Sequence, residues 1–219
     1  EVPYPYDYMR KTGKPVGQQM GYKYDGFFSE EDVAKYETER GKSIPDHGTG
    51  YIPKPGDVKY KDISGPDGVP DGVIDDYDKT NIGSPMPKFT FGWTNTFRYK
   101  NFDLSVFING SYGNKVYNYL SMKLTHMNSP WTNQLNAVNG RAQLVPINPN
   151  KVYEDGTMWY NDVSNVMVAN PGASIPRATI NDPNDNDLIS DRYIEDGSYI
   201  RLKNISLGYT FPKKTIDKL

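Results

Sequence analysis

The stretch Lys88–Gly113, KFTFGWTNTFRYKNFDLSVFINGSYG, limits what this chain can become more than any other. Phe89, Phe91, Trp93, Phe97 and Tyr99 share one parity, and Thr90, Gly92, Thr94, Thr96, Arg98 and Lys100 share the other. After a short break at Tyr99-Lys100-Asn101, Phe102, Leu104, Val106 and Ile108 alternate with Asp103, Ser105, Asn109 and Ser111. A period of two predicts two long β-strands, each with one apolar and one polar side. The short break predicts an antiparallel hairpin. Strands in soluble proteins usually stop at about five or six residues. A strand tilted across a bilayer needs about nine to eleven. The question the sequence poses is therefore what covers the apolar side: a second sheet or lipid.

Composition narrows the answer. The 219 residues carry a formal charge of −2, which argues against a nucleic-acid binder with a dominant basic field. No apolar run of about eighteen residues marks a transmembrane helix, but a barrel spans a membrane with alternating strands instead. The 18 tyrosines, 20 glycines and 17 prolines suit aromatic girdles and long loops, and suit a secreted β-sandwich as well. Cysteine is absent, so neither disulfides nor a thiol nucleophile operates within this sequence. No signal peptide precedes Glu1; it has been removed, or the chain is a piece of something longer.

Taken in order, residues 1–87 read as loop-rich. Glu1–Gly21 reads as loop, Met20–Phe28 as a short strand and Gly56–Tyr60 as another. Between them Ser29-Glu30-Glu31-Asp32 signals a helix start, with Ser29 as N-cap and acids in the first turn. That helix is expected to run to about Arg40, stop at Gly41 and lie on the surface. The acidic stretch DISGPDGVPDGVIDDYDKTNIG aligns on a calcium loop. Asp67, Val69, Asp71 and Gly72 take the first, third, fifth and sixth positions. Val73 offers a carbonyl at the seventh, Ile74 is the apolar eighth, and Asp75 and Asp78 take the ninth and twelfth. Calcium requires about six to eight hard oxygens and a glycine at the sharp turn. Val69 cannot ligate, and Ser64 or Asp62 bulging inward would replace it. The alternative is a solvated acidic turn. Thr80–Pro87 reads as a linker into the hairpin at residues 88–113.

From 114 to 190 the alternation vanishes, apart from a helix-like patch at Asn133–Arg141. A structureless segment of this length argues against a compact soluble domain and for a long external loop. Trp131, Trp159 and Tyr160 are candidates for stacking on a sugar or peptide, or for pinning the loop to itself. Residues 191–219 hold a third long strand over Asp191–Phe211, with Ile205, Leu207, Tyr209 and Phe211 on one parity, followed by a turn at Pro212-Lys213-Lys214. His47 and His126 are far apart in sequence, and no HExxH, GxSxG or Walker pattern occurs. The adjacent carboxylates Asp75 and Asp76 read as metal or solvent groups rather than a glycosidase pair.

The ordered string PVGQQMGYKYDGFF, GDVKYKD, DGVIDDYDKTNIGSPMPKFTFGW, YKNFDLSVFINGSYGN, IPRAT and DRYIEDGSYIRLKNISLGYTFP resembles the C-terminal portion of the SusC/RagA family. The resemblance runs through most of the chain. It implies an all-β fold: antiparallel strands of a large outer-membrane barrel, filled by a plug and capped by a SusD-like surface lipoprotein. The activity it implies is TonB-linked import of oligosaccharides or peptides, with no bond chemistry. The family's plug, its TonB box and its aromatic-ended last strand do not occur in this sequence. Its acidic loop is about five residues longer here, through PDGVP. The resemblance thus implies an excised portion of three to five strands, with Phe89, Phe91, Trp93, Leu104, Val106 and Ile108 toward lipid. Thr94, Arg98, Asp103 and Asn109 would face the lumen or plug. The competing expectation is a secreted, calcium-stabilised β-sandwich that binds carbohydrate. It requires the same apolar side chains to be buried against a second sheet.

Overall fold

A computed structural model describes residues 8–9 and 15–212. The expected loop before Gly21 and the turn at Lys213-Lys214 therefore lie largely outside the described residues. The chain forms two units. One combines the sequence up to Gly83 with Tyr117–Ile194; the other combines Ser84–Val116 with the sequence after Ile194.

The second unit is a three-stranded antiparallel sheet. Its strands are Phe89–Tyr99, Phe102–Tyr112 and Tyr199–Tyr209, each of 11 residues, with Phe102–Tyr112 in the centre. The hairpin forms as the alternation requires. Tyr99 pairs with Phe102 across Lys100-Asn101, and Lys100 takes the left-handed region at φ 53°. Trp93 stands opposite Ile108 and Phe97 opposite Leu104, so the apolar parities of both arms share one side. Phe91 stands opposite Gly110, and its ring fills the space above that glycine: a Cβ there would lie 2.4 Å from the ring.

The third strand contains a feature that its sequence conceals. Ile200 and Leu202 have even parity, whereas Ile205, Leu207 and Tyr209 have odd parity. The register shifts between Leu202 and Asn204, leaving Lys203 as the extra residue of a β-bulge. Because of it Leu202 faces Ile108 while Ile205 faces Val106, and both halves keep their apolar residues on one side. The strand is also shorter than its sequence suggested. Asp191–Tyr193 is a 3-10 turn, and Gly197-Ser198 separates the short strand Ile194–Asp196 from the long one. Phe107 is the exception on the polar side, lying 3.4 Å from where a Cβ on Gly92 would sit.

Among the described residues no second layer seals the apolar side, as a sandwich would require. Trp93 is 52% exposed, Phe97 56%, Leu202 55% and Leu207 71%. The opposite side carries Thr90, Thr94, Thr96, Arg98, Asp103, Ser105 and Asn109.

The first unit is built from short pieces. Glu30–Glu39 is a helix, and its capping box forms: Ser29 Oγ accepts from Asp32 N, and Asp32 Oδ2 accepts from Ser29 N, both at 3.1 Å. The helix stops at Gly41, which takes φ 71°. It is not wholly solvated, because Val33 and Tyr36 pack with Phe28, Ile44 and Val163. Tyr24–Phe27 pairs antiparallel with Val58–Tyr60, and a second apolar cluster gathers there from Tyr22, Val58, Tyr60 and Ile74. The expected linker begins as a strand, since Thr80–Gly83 pairs with Gln18–Gly21. The segment after 114 is not structureless either. It contains a helix at Tyr119–Thr125, 3-10 turns including Asn136–Gly140, and the antiparallel pair Leu144–Pro146 and Val166–Val168.

Candidate functional site

The acidic loop folds around backbone amides rather than around a shared centre. Asp78 is fully buried. Its Oδ1 accepts from Ile63 N and Ser64 N at 2.7 and 3.1 Å, and its Oδ2 accepts from Asp75 N at 2.9 Å. Asp75 Oδ1 accepts from Tyr77 N, Asp71 Oδ1 from Val73 N, and Asp62 Oδ2 from Gly72 N. Asp67 is exposed, and Val73 forms an isolated bridge with Asp46. The carboxylates of Asp67, Asp71, Asp75 and Asp78 do not converge into a ligand cluster among the described residues. As arranged, this donor set does not fit a calcium centre, which needs several oxygens aimed at one point.

The cluster that does converge is His126 with Asp182 and Asp187, whose ligand atoms lie within 4.8 Å of one another. His126 Nε2 lies 3.0 Å from Asp182 Oδ2, and Nδ1 lies 3.1 Å from Asp187 Oδ2. Burial opposes the charged imidazole, but the two carboxylates outweigh it and raise its pKa to about 9. The arrangement is an imidazolium clamped between two acids, with both ring nitrogens committed.

This clamp belongs to a polar interior that the sequence did not announce. Asn186 Oδ1 accepts from Val58 N at 2.6 Å, and its Nδ2 donates to Asp182 Oδ1 at 2.6 Å. Asn184 Nδ2 donates to Val58 O at 2.9 Å, and Tyr60 Oη donates to Asp185 O at 3.1 Å. Asp57, completely buried, forms an ion pair with Arg177, whose Nε lies 2.7 Å from Asp57 Oδ1 without hydrogen-bond alignment. Arg177 Nη2 donates to Asp57 Oδ2 at 3.3 Å and to Tyr51 Oη at 2.8 Å. Burial pushes the Asp57 pKa up despite that guanidinium.

Beside this pair opens a cavity of about 630 Å³, within the usual range of about 300–1,000 Å³ for small-ligand sites. Tyr51, Lys54, Arg141, Tyr160, Asn161 and Arg177 supply its polar and aromatic lining, and no carboxylate residue lines it. Lys54 Nζ donates to Asn161 Oδ1 at 2.9 Å and sits 5.3 Å from the Tyr160 ring centroid. Burial, and then Arg177, push the Lys54 pKa down; burial pushes that of Tyr51 up to about 12.

Of the three aromatic residues singled out from the sequence, Tyr160 lines this cavity. Trp159 packs edge-on against Tyr160, with ring centroids 5.8 Å apart, but lines a separate cavity of about 370 Å³ with Tyr153 and Lys151. Trp131 is 91% exposed and lines neither. Lys54, Arg141 and Arg177 were missed because they come from three segments far apart in sequence.

No family profile matches the chain. It is 29% identical over 95% of its length to TonB-dependent receptor P3 of Formosa agariphila, and 34% identical over 75% of its length to TonB-dependent receptor P26 of the same organism. The matches cover 16% and 13% of those relatives, so the chain spans about a sixth of their length or less. These relatives are receptors, not enzymes.

Proposed function

We propose that this chain, a homologue of TonB-dependent receptors, is part of an outer-membrane transporter of the SusC/RagA kind. In this reading the three long strands are staves of a barrel whose remaining staves lie in the rest of the receptor. The barrel imports oligosaccharides or peptides beneath a SusD-like lipoprotein, and TonB supplies energy through a plug. The other unit forms the extracellular surface that meets ligand and lipoprotein.

One observation carries the reading. The two flanking strands expose their apolar side, with Leu104, Val106 and Ile108 of the central strand half-buried between them and Asn95 interrupting it, back to back with a side rich in Thr, Ser, Asn, Arg and Asp. An exposed apolar sheet of this size is a liability in water and is the required surface in a bilayer. At about 3.3 Å per residue, strands of this length cross the hydrocarbon core when tilted.

Trp93 tests this directly. In the receptor reconstituted in vesicles, with other tryptophans replaced by phenylalanine, brominated lipid is expected to quench Trp93 fluorescence strongly. Aqueous acrylamide is expected to quench it weakly. The reverse pattern would remove the barrel from consideration.

A further inference from the structure

We propose that the cavity between Lys54, Arg141 and Tyr160 is a subsite for an oligosaccharide unit bearing a carboxylate or sulfate group. The inference rests on the transporter reading and gives it a substrate class.

Lys54 carries the argument. The residue is 8% exposed, and its ammonium points into the cavity toward a neutral acceptor, Asn161 Oδ1. Among the described residues it forms no ion pair with a carboxylate. The nearby acid, Asp57, accepts from the Lys54 backbone N–H at 2.8 Å and pairs its own charge with Arg177. Its charge is met by a neutral amide, by the Tyr160 ring and by an Asp57 charge shared with Arg177, so an anion in the cavity would give it a counter-charge of its own.

Arg141 adds a second cation on the lining. Its Nη1 donates to Val138 O at 3.3 Å, which leaves the rest of the planar fork available for an oxyanion. The two cations share a cavity wall that carries no carboxylate, which suits an oxyanion. Tyr160, 40% exposed, offers a ring face to the C–H side of a pyranose, and Asn161 and Tyr51 offer polar groups to its hydroxyls. Cations beside an aromatic face and neutral polar groups suit a charged sugar better than a bare peptide terminus.

The test is calorimetric titration of the detergent-solubilised receptor with four probes: a uronate oligosaccharide, a sulfated oligosaccharide, a neutral one of matched length and an acidic peptide. At least one charged sugar is expected to bind about tenfold or more tightly than the neutral one, a difference of about 1.4 kcal/mol. Its affinity is expected to fall as sodium chloride rises. The tighter of the two charged sugars identifies the oxyanion. Arg141→Gln, at a half-buried position outside the polar network, is expected to weaken that binding about tenfold at unchanged melting temperature. Lys54→Met is expected to do the same. Equal binding of neutral and charged sugars, preference for the acidic peptide, or wild-type affinity in Arg141→Gln would overturn the proposal. Trp93 quenching separates the two readings. A lipid-quenched receptor that ignores charge on the sugar refutes only the subsite. A receptor that fails the lipid test yet prefers the charged sugar refutes only the barrel.

Discussion

In the sheet of three long strands, large apolar side chains such as Trp93, Phe97 and Leu207 are the exposed ones. In the other unit, Asp57, Asn184 and Asn186 are among the most deeply buried. The sheet departs from the usual division by exposing apolar side chains, and the other unit departs from it by burying polar groups beside its apolar clusters. The sheet needs no interior of its own if hydrocarbon is its solvent on one side. The other unit has two small apolar clusters and no cysteine to staple it. It is held by short side chains that hydrogen-bond the backbone of segments more than a hundred residues away, as Asn184 and Asn186 bond Val58. Such networks are strong when complete and costly when one member is lost.

The contrast can be broken most forcibly at Asp57. Asp57→Ala leaves Arg177 without its carboxylate in a buried setting, and is expected to cost about 3–5 kcal/mol by denaturant melting. A change below 1 kcal/mol would mean that the interior is wetter than the contacts imply. Next is a paired substitution on neighbouring residues of the third strand. Leu207→Arg places a charge on the apolar side and is expected to cost about 2–4 kcal/mol in a bilayer, while Ser206→Arg on the other side is nearly silent. Equal penalties would show that both sides meet the same medium.

The third expected effect, comparable in size to the second, is a pH dependence set in the polar unit. The folded pKa of His126, about 9, lies above its unfolded value of 6.5. Its clamp therefore contributes fully below about pH 6.5, and the contribution is lost as pH rises through 9. Melting temperatures between pH 6 and pH 9.5 are expected to decline clearly in the wild type and to lose that slope in His126→Gln. A flat wild-type profile would mean that Asp182 and Asp187 do not hold the proton.

These two regions were not equally legible in the sequence. The hairpin could be read because one rule, the alternation of side chains, applies to contiguous residues such as Phe89–Tyr99. Its partner strand was expected over Asp191–Phe211, but its apolar side could be read only from Ile205 onward, since the bulge at Lys203 reverses the parity of Ile200 and Leu202. The helix start at Ser29 was legible because a capping box is local. The segment Asn181–Ser190 looked like bare loop, since Asn and Asp give no periodic signal and bond to partners remote in the sequence. The acidic loop followed a motif in spacing, yet its carboxylates turned toward amides. The cavity at Lys54 left no motif at all, because it exists only once four segments meet.

The extra residue at Lys203 constrains how this ribbon can change over generations. Deleting it would only straighten the ladder, because Leu202 and Asn204 already pair with the consecutive residues Ile108 and Phe107. Losing any other single residue of the strand while the bulge stays, or gaining one, would turn one half inside out relative to its partner, exchanging Leu202 for Arg201 or Ile205 for Ser206 at the oily surface. Changes in length should therefore be tolerated at Lys203 itself, and elsewhere only in twos.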